Sequence, residues 1–497
     1  MLLCGCGSSD SAYVPTGDGL TWDEDYTGPV ATAPKQEEET PLVLTYYPNV
    51  TMNPFQCTDF TNRALFSLIY QSLFVTDRSY QVKPILCKNY KVSEDMMTYT
   101  FYLDAATFSD GTPITPNDAL ASLEAARQSQ YYSGRFFYVN TIALSEDGGI
   151  TISLWTPYEN LPLLLDIPII KEAELEKAYP LGTGPYVFNE NAAVLQRRSN
   201  WWCRSDLPIT QDSIRLIQAK SLTHIRDSFE FGDLSLVCAN PASDRYVDYR
   251  CDYELWDCDN GMFMYLACNM DSNIFGNETV RAGLTHAIDR DSITKEFYRG
   301  FARGTTLPAS PLFPYYNQGL AARYEYEPLK FTQLVQDAGL REAKVVLLVN
   351  EDDSLRLRVA RKIAQMLEDC SLNVELRTAS GADYLYYLNA REYDLYLGQT
   401  KLSPNMDLTP FFYSNGALSY GGIDDPVLYQ LCQQTLENHG NYYTLHKTVM
   451  DQGRVCPILV GSYGVFATRG MLTNLSPSRD NIFCYGIGKT VESVLMS

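Results

Sequence analysis

The chain has few of the residues on which catalytic and metal sites are usually built. Its four histidines, His224, His286, His439 and His446, form no H-E-x-x-H or other short metal-ligating spacing, which excludes the common helical zinc motifs. His286 lies in a core-facing helix and reads as a structural residue. No Gly-x-Ser-x-Gly elbow is present, no cysteine sits in a recognised protease signature, and neither a Walker lysine nor G-x-G-x-x-G occurs. None of the 13 cysteines forms C-x-x-C, and six residues separate Cys251 from Cys258, so no zinc knuckle is encoded. Positive charge is also scarce. With 39 Lys and Arg against 60 Asp and Glu, the net charge of −21 disfavours phosphate backbones and anionic lipid, and nucleic acid is excluded as a partner. Long apolar runs are missing too: the most apolar stretch, 161–170, is broken by Pro162, Asp166 and Pro168 and is too short to cross a bilayer. With so many carboxylates, a glycosidase pair could be drawn anywhere and carries no information without a separation in space. No cofactor is called for.

A length of 497 residues exceeds one ordinary core, and 45% hydrophobic with 20% charged residues describes a globular chain of two or three lobes. The 36 tyrosines either pack sheets or line a binding surface, with packing the default. The opening Met1-Leu2-Leu3-Cys4-Gly5-Cys6-Gly7 reads as the end of a lipoprotein signal, with Leu3-Cys4-Gly5-Cys6 as its lipobox and Cys6 carrying the lipid. Residues 7–40, rich in Ser, Asp, Gly, Thr and Pro, read as a disordered tether of about 30 Å. Setting Cys4 and Cys6 aside leaves 11 cysteines, an odd number, so at least one thiol has no intramolecular partner. Unpaired buried cysteines act as small hydrophobes.

The segment 98–129 holds a strand, a turn and a helix. Thr98-Tyr99-Thr100-Phe101-Tyr102-Leu103 has strand composition, Asp110-Gly111 suits a turn with positive φ, and Thr115 caps a helix opened by Pro116. Its wording, with Phe108-Ser109-Asp110-Gly111-Thr112-Pro113 and Thr115-Pro116-Asn117-Asp118, resembles the signature of family 5 extracellular solute-binding proteins, the oligopeptide, dipeptide and nickel receptors of ABC importers. Other segments continue the resemblance in order: Gly182-Thr183-Gly184-Pro185-Tyr186, Phe231-Gly232-Asp233-Leu234, the helix 277–290 capped by Asn277, and Tyr326-Glu327-Pro328 to Leu340. Residues 393–397 and 455–460 follow as strands, and the resemblance spans Tyr46 to about Gly461. Independently of it, a strand at 344–350, an amphipathic helix at 355–368 and a strand at 372–376 form a β-α-β unit, and Leu65, Leu68, Ile69 and Leu73 keep helical spacing.

The resemblance implies an α/β, two-lobed periplasmic-binding-protein-like fold (type II, cluster C) with an extra subdomain inserted in the first lobe. The first lobe is expected from 41–60, 181–263 and 476–497, the inserted subdomain from 61–180 and the second lobe from 264–475. It also implies a lipid-anchored, extracytoplasmic monomer that binds an oligopeptide or similar small solute between its lobes and delivers it to ABC permease subunits, without an enzymatic step. A sensory or chaperone-like peptide-binding protein shares that fold, and an extracellular hydrolase is the remote competitor. A gapless alignment of 53–74 on the oligopeptide receptors places their first ligand-pairing segment at Thr58, Asp59 and Phe60. The opposing segment is Gln399, Thr400, Lys401, Leu402 and Ser403. Peptide receptors commonly carry there an aromatic and then an aspartate for the peptide amine; this chain has Thr400 and Ser403, with Asp407 four residues on. The amine partner is then Asp407 or Asp59, while Lys401 either pairs a ligand carboxylate or lies solvated. The segment 98–129 is expected to touch no ligand.

Overall fold

The computed structural model describes residues 41–203, 211–243, 246–472, 475–483 and 493–496; Cys6 and the 7–40 tether lie outside the described residues. Val43–Tyr46 is buried along its length and pairs in parallel with Ser213–Gln218. Val194–Arg197 and Tyr186–Asn189 complete this four-stranded sheet. Gly182 and Gly184 precede its last strand and explain the Gly-Thr-Gly-Pro wording. A Cβ at Gly182 would lie 2.1 Å from the Ile69 carbonyl oxygen and one at Gly184 would lie 2.5 Å from the Ile69 carbonyl carbon. Only bare backbone fits there, and the Gly184 N–H donates to that same carbonyl.

A second, five-stranded sheet has the order Ser493–Met496, Cys87–Ser93, Thr98–Leu103, Ile150–Leu154, Val139–Leu144. Tyr99, Phe101, Ile150 and Ile152 are fully buried in it. The turn at Gly111 has φ 84°, and the helix Pro116–Gln128 starts with a reciprocal capping box between Thr115 and Asp118. The described part of 476–497 divides between two bodies. Ile482 and Phe483 join the core of the first sheet, whereas Ser493–Met496 pairs in parallel with residues 90–93 of the five-stranded sheet.

The third sheet is seven-stranded, ordered Leu236–Ala239, Val455–Thr468, Tyr253–Cys268, Leu395–Lys401, Lys344–Asn350, Asn373–Ala379, with Ala302–Gly304 on the side of Val455–Thr468. Its β-α-β unit is built as expected: Lys344–Asn350 and Asn373–Ala379 are parallel, joined by Ser354–Asp369, whose Val359, Ile363 and Leu367 are fully buried. The last strand is longer than the expected 455–460. Residues 455–467 are all buried because the strand runs from one core into another, which erases any alternation. Its pairing with Tyr253–Cys268 links one core, at Cys258, Tyr463 and Val465, to another, at Leu266, Cys268 and Cys456. The register shifts between Asp259 and Phe263, where Gly261 has φ 75°.

Two expected helices are interrupted. The spacing at 65–73 resolves into Phe60–Arg63 and Phe66–Ile69, after which Leu73 lies between the short strands Gln71–Ser72 and Phe74–Thr76. Residues 277–290 form Glu278–Gly283 and a 3-10 turn, Leu284–Ala287, before Asp289 caps a new helix, Arg290–Tyr298. The break frees the Thr285 and Ile288 carbonyls, and both accept from the Arg290 guanidinium. Cys57, Cys87, Cys258, Cys268, Cys370, Cys432 and Cys456 are buried free thiols.

Candidate functional site

A cavity of about 600 Å³ is lined by residues from widely separated stretches of the chain. Thr58 contributes from the loop after the first strand. Tyr131 and Arg135 come from the turns after Pro116–Gln128, Thr400 to Pro404 and Asp407 from the carboxyl end of Leu395–Lys401, and Arg479 from the returning chain. The carboxyl ends of parallel strands are where open α/β sheets leave a crevice for ligands. Thr58, Thr400, Lys401, Leu402, Ser403 and Asp407 thus share one cavity. Gln399, one residue earlier on the strand, lines a separate cavity of about 540 Å³ with Asn260, Asp352, Asp353 and Ser462. Asp59 and Phe60 line neither. The Asp59 carboxylate accepts from the Asn62 N–H as the cap of Phe60–Arg63, and the Phe60 ring meets Tyr463 edge to face at 5.1 Å.

The cavity wall is organised around Asp480, a carboxylate nearly excluded from solvent. It accepts from Arg135 at 2.9 Å, the Tyr131 hydroxyl at 3.0 Å and the Lys401 ammonium at 3.1 Å. Burial works against its charge, but Lys401, Arg135 and Arg479 together hold it far below the usual carboxylate range. Lys401 is drawn down to about 8: burial and the neighbouring Arg479 and Arg135 outweigh the attraction of Asp480. The Lys401 side chain stays partly exposed while its ammonium, at the end of Leu395–Lys401, donates to Asp480 and to the Tyr131 hydroxyl. Behind Asp480, burial lifts Asp166 to about 6 despite the Arg135 guanidinium.

Asp407 is also committed within the protein. One oxygen accepts from the Thr409 N–H and hydroxyl at 3.0 and 2.8 Å, and the other from the Tyr138 hydroxyl at 2.8 Å. Burial raises its pKa. Tyr138 precedes the strand Val139–Leu144 of the five-stranded sheet and Asp407 follows the strand Leu395–Lys401 of the seven-stranded sheet, so this bond, like that of Lys401 to Asp480, joins distant parts of the chain. Arg63 completes the aromatic wall, 3.3 Å over the Tyr131 ring and donating to the Tyr132 hydroxyl.

Sequence reasoning passed over Tyr131, Arg135, Tyr138, Arg479 and Asp480. A faint signal existed in the run Tyr131-Tyr132-Ser133-Gly134-Arg135-Phe136-Phe137-Tyr138, an aromatic cluster holding a single guanidinium. Chemically, the cavity offers cationic donors, hydroxyls and a carboxylate, a set suited to holding a polar solute. Among the described residues no group of His, Cys, Asp and Glu is placed to hold a metal ion, and no helix is long and apolar enough to cross a membrane.

Comparison with known proteins accords with this geometry. Residues 81–420 match the family described as bacterial extracellular solute-binding proteins, family 5 Middle. The glutathione-binding protein GsiB of Escherichia coli K12 is 27% identical over 309 residues, spanning 58% of this chain and 59% of that relative, less than two thirds of its length. Among solved structures, the ABC transporter substrate-binding protein CtaP of Listeria monocytogenes aligns with a TM-score of 0.71 at 18% identity, covering 89% of this chain and 97% of its own. The oligopeptide-binding protein AppA of Bacillus subtilis, in complex with a nonapeptide, aligns at 0.60 and 17% identity, covering 90% and 99%. At these identities the structures establish the fold, a two-lobed α/β periplasmic-binding-protein architecture with an extra subdomain. The match of residues 81–420 goes further: the chain belongs to the family 5 extracellular solute-binding proteins, which bind solutes and are not enzymes.

Proposed function

We propose that this chain is the receptor of a peptide-type ABC importer, closing two lobes over an oligopeptide or similar small solute and presenting it to permease subunits. The observation that carries the reading is the cavity of about 600 Å³ walled by widely separated stretches of the chain and bridged by Lys401–Asp480 and Tyr138–Asp407. A solute in this position contacts both lobes only when they are closed, so binding shifts the population toward the closed state. The first lobe is assigned to 41–60, 181–263 and 476–497, the subdomain to 61–180 and the second lobe to 264–475. Cys6 is the proposed lipid anchor, holding a monomer at the outer face of a membrane. GsiB is named for glutathione binding and AppA was solved with a nonapeptide, which supports a peptide-like solute.

Thr58 and the 400–403 segment face the solute in this proposal. Asp407 is the carboxylate for a ligand amine because it lines the cavity whereas Asp59 does not. A carboxylate has about four acceptor sites, so its present bonds leave room for one more. Native mass spectrometry of ligand co-purified with the full chain tests the class: a peptide supports it, and an ordered metal chelate or sugar overturns it. Asp407→Asn should weaken amine-bearing peptides about tenfold, the scale of one charge-assisted hydrogen bond. Unchanged affinity removes Asp407 from the site, and turnover of a bound peptide would overturn the binding role.

A further inference from the structure

The charged groups around the larger cavity are engaged with one another. Asp480 accepts from Arg135, Tyr131 and Lys401, and Arg135 also donates to the Asp166 carbonyl. Asp407 accepts from Tyr138 and Thr409. Arg479 donates to the Leu402 carbonyl, and its guanidinium lies buried against bare backbone at Gly261, where a Cβ would stand 2.5 Å from Cζ. What Phe137 and the stretch 410–418 present to the cavity is largely carbon. Phe137 lines it with 49% of its surface exposed, although the ring meets Tyr138 edge to face at 5.0 Å. From the other stretch, Ala417 is exposed, and Pro410 and Leu418 are half-buried, along the same cavity. A single exposed apolar residue needs no explanation, but four of them, gathered from two distant stretches around one cavity, make a surface that favours an apolar occupant.

Both stretches are held in place by the protein itself. Arg135, before Phe137 in the chain, is bonded to Asp480 and Asp166, and Tyr138, after it, is bonded to Asp407, so the turn carrying the ring is fixed at both ends. In the other stretch the Leu418 N–H donates to the Pro410 carbonyl and the Gly416 N–H to that of Tyr413. A Cβ on Gly416 would lie 2.4 Å from the Pro410 carbonyl oxygen, so this loop closes on itself over bare backbone. Gly134 is the reverse case. It lines the cavity from the 3-10 turn Ser133–Phe136, and a Cβ there would meet nothing within 4 Å. On a 3-10 turn, residues three apart lie on one side, so the open space at Gly134 adjoins the Phe137 ring. A hydroxyl, amide or charged side chain laid against this surface gives up its water and finds no partner, whereas an aliphatic or aromatic one gains by leaving water.

We propose that the cavity takes a bulky, uncharged apolar side chain of the bound solute against Phe137 and Leu418, in the space left open by Gly134. The solute class narrows to peptides carrying an aliphatic or aromatic residue at one fixed position. The proposal rests on the peptide-receptor reading, and its test separates the two. Tripeptides of alanine carrying Leu, Phe, Ser, Asp or Lys at each position in turn are offered to the full chain, and retention is read by native mass spectrometry. At one position Leu and Phe should be retained about tenfold or more over Ser, Asp and Lys, the scale of one buried apolar side chain. Gly134→Leu fills the space from the protein's own side and should abolish that preference, and Phe137→Gln should weaken it. Both residues are exposed, so the unfolding midpoints should stay unchanged. Equal retention of all the peptides by the unmodified protein overturns the proposal and leaves the peptide reading standing, as does a preference for Ser, Asp or Lys. A Leu and Phe preference left intact by Gly134→Leu, or by Phe137→Gln where the first variant does not fold, also overturns it. Retention of no tripeptide overturns the peptide reading itself, and the proposal with it.

Discussion

Arg290 and Arg479 are both buried arginines, and the regions around them are finished to different degrees. Beside the seven-stranded sheet, Arg290 Nε donates to the Thr305 and Pro457 carbonyls, Nη1 to those of Thr285 and Ile288, and Nη2 to Pro457 and the Thr285 hydroxyl. No carboxylate is involved: backbone oxygens and the Thr285 hydroxyl satisfy the fork. At the cleft, Arg479 has one carbonyl and two idle nitrogens. The first arginine ties Ala302–Gly304, Val455–Thr468 and the break before Arg290–Tyr298 into one body. The second stands beside a cavity. A buried polar group that is fully met holds the fold together, and one left partly unmet is a place for which the fold alone does not account.

That contrast is broken most decisively at Arg290. Arg290→Lys keeps the charge but cannot reach carbonyls on four sides, and the orphaned acceptors should cost about 3 kcal/mol by denaturant unfolding. The same change at Arg479 should move stability by less than about 1 kcal/mol, since few bonds are lost there. Equal losses at both positions would dissolve the distinction.

His446 sharpens the comparison by supplying an unmet group that lines neither of the two cavities described above. It is fully buried on the helix Tyr442–Gln452, and neither ring nitrogen has a partner. Burial lowers its pKa to about 3. The unfolded chain takes up this proton below about pH 6.5 while the folded chain does not until about pH 3, so folding stability is full above 6.5 and falls with pH through that window. The loss amounts to about 1.4 kcal/mol per pH unit, or roughly 2 to 3 kcal/mol at pH 4.5. His446→Leu should flatten this part of the stability–pH curve and leave solute affinity at pH 7 unchanged. An unaltered acid limb would show that the buried imidazole is not what the acid attacks.

How much of this was legible in the sequence follows from the same distinction. The β-α-β unit at 344–379 and the capped helix at 116–128 are written in local pattern, because periodicity and caps are short-range properties. The break at 288–289 was not, for it answers to Arg290 reaching carbonyls on distant strands, and the length of Val455–Thr468 was hidden by burial in two cores at once. The site divided in the same way. Lys401, Leu402, Ser403 and Asp407 follow a strand whose end could be placed, so the cavity-lining stretch was visible. Arg479 and Asp480 were not, because their meaning arises from Gly261, Arg135 and Lys401, which approach them only in the folded chain.

The smallest expected effect lies in the segment whose wording first connected the chain to its relatives. Thr115 accepts from the Asp118 N–H while Asp118 accepts from the Thr115 N–H, and the helix so capped buries Ala119, Leu123 and Ala126 against the five-stranded sheet. Thr115→Ala removes one side of that exchange and should cost about 1 kcal/mol of stability. Asp118 also accepts from the Glu172 N–H, which keeps the subdomain joined and bounds the loss. Solute affinity should not move, since neither residue lines either of the two cavities described above. A drop in affinity larger than the drop in stability would mean that this helix positions Tyr131 and Arg135, which follow it directly in the chain, and would draw the scaffold and the site into a single cooperative unit.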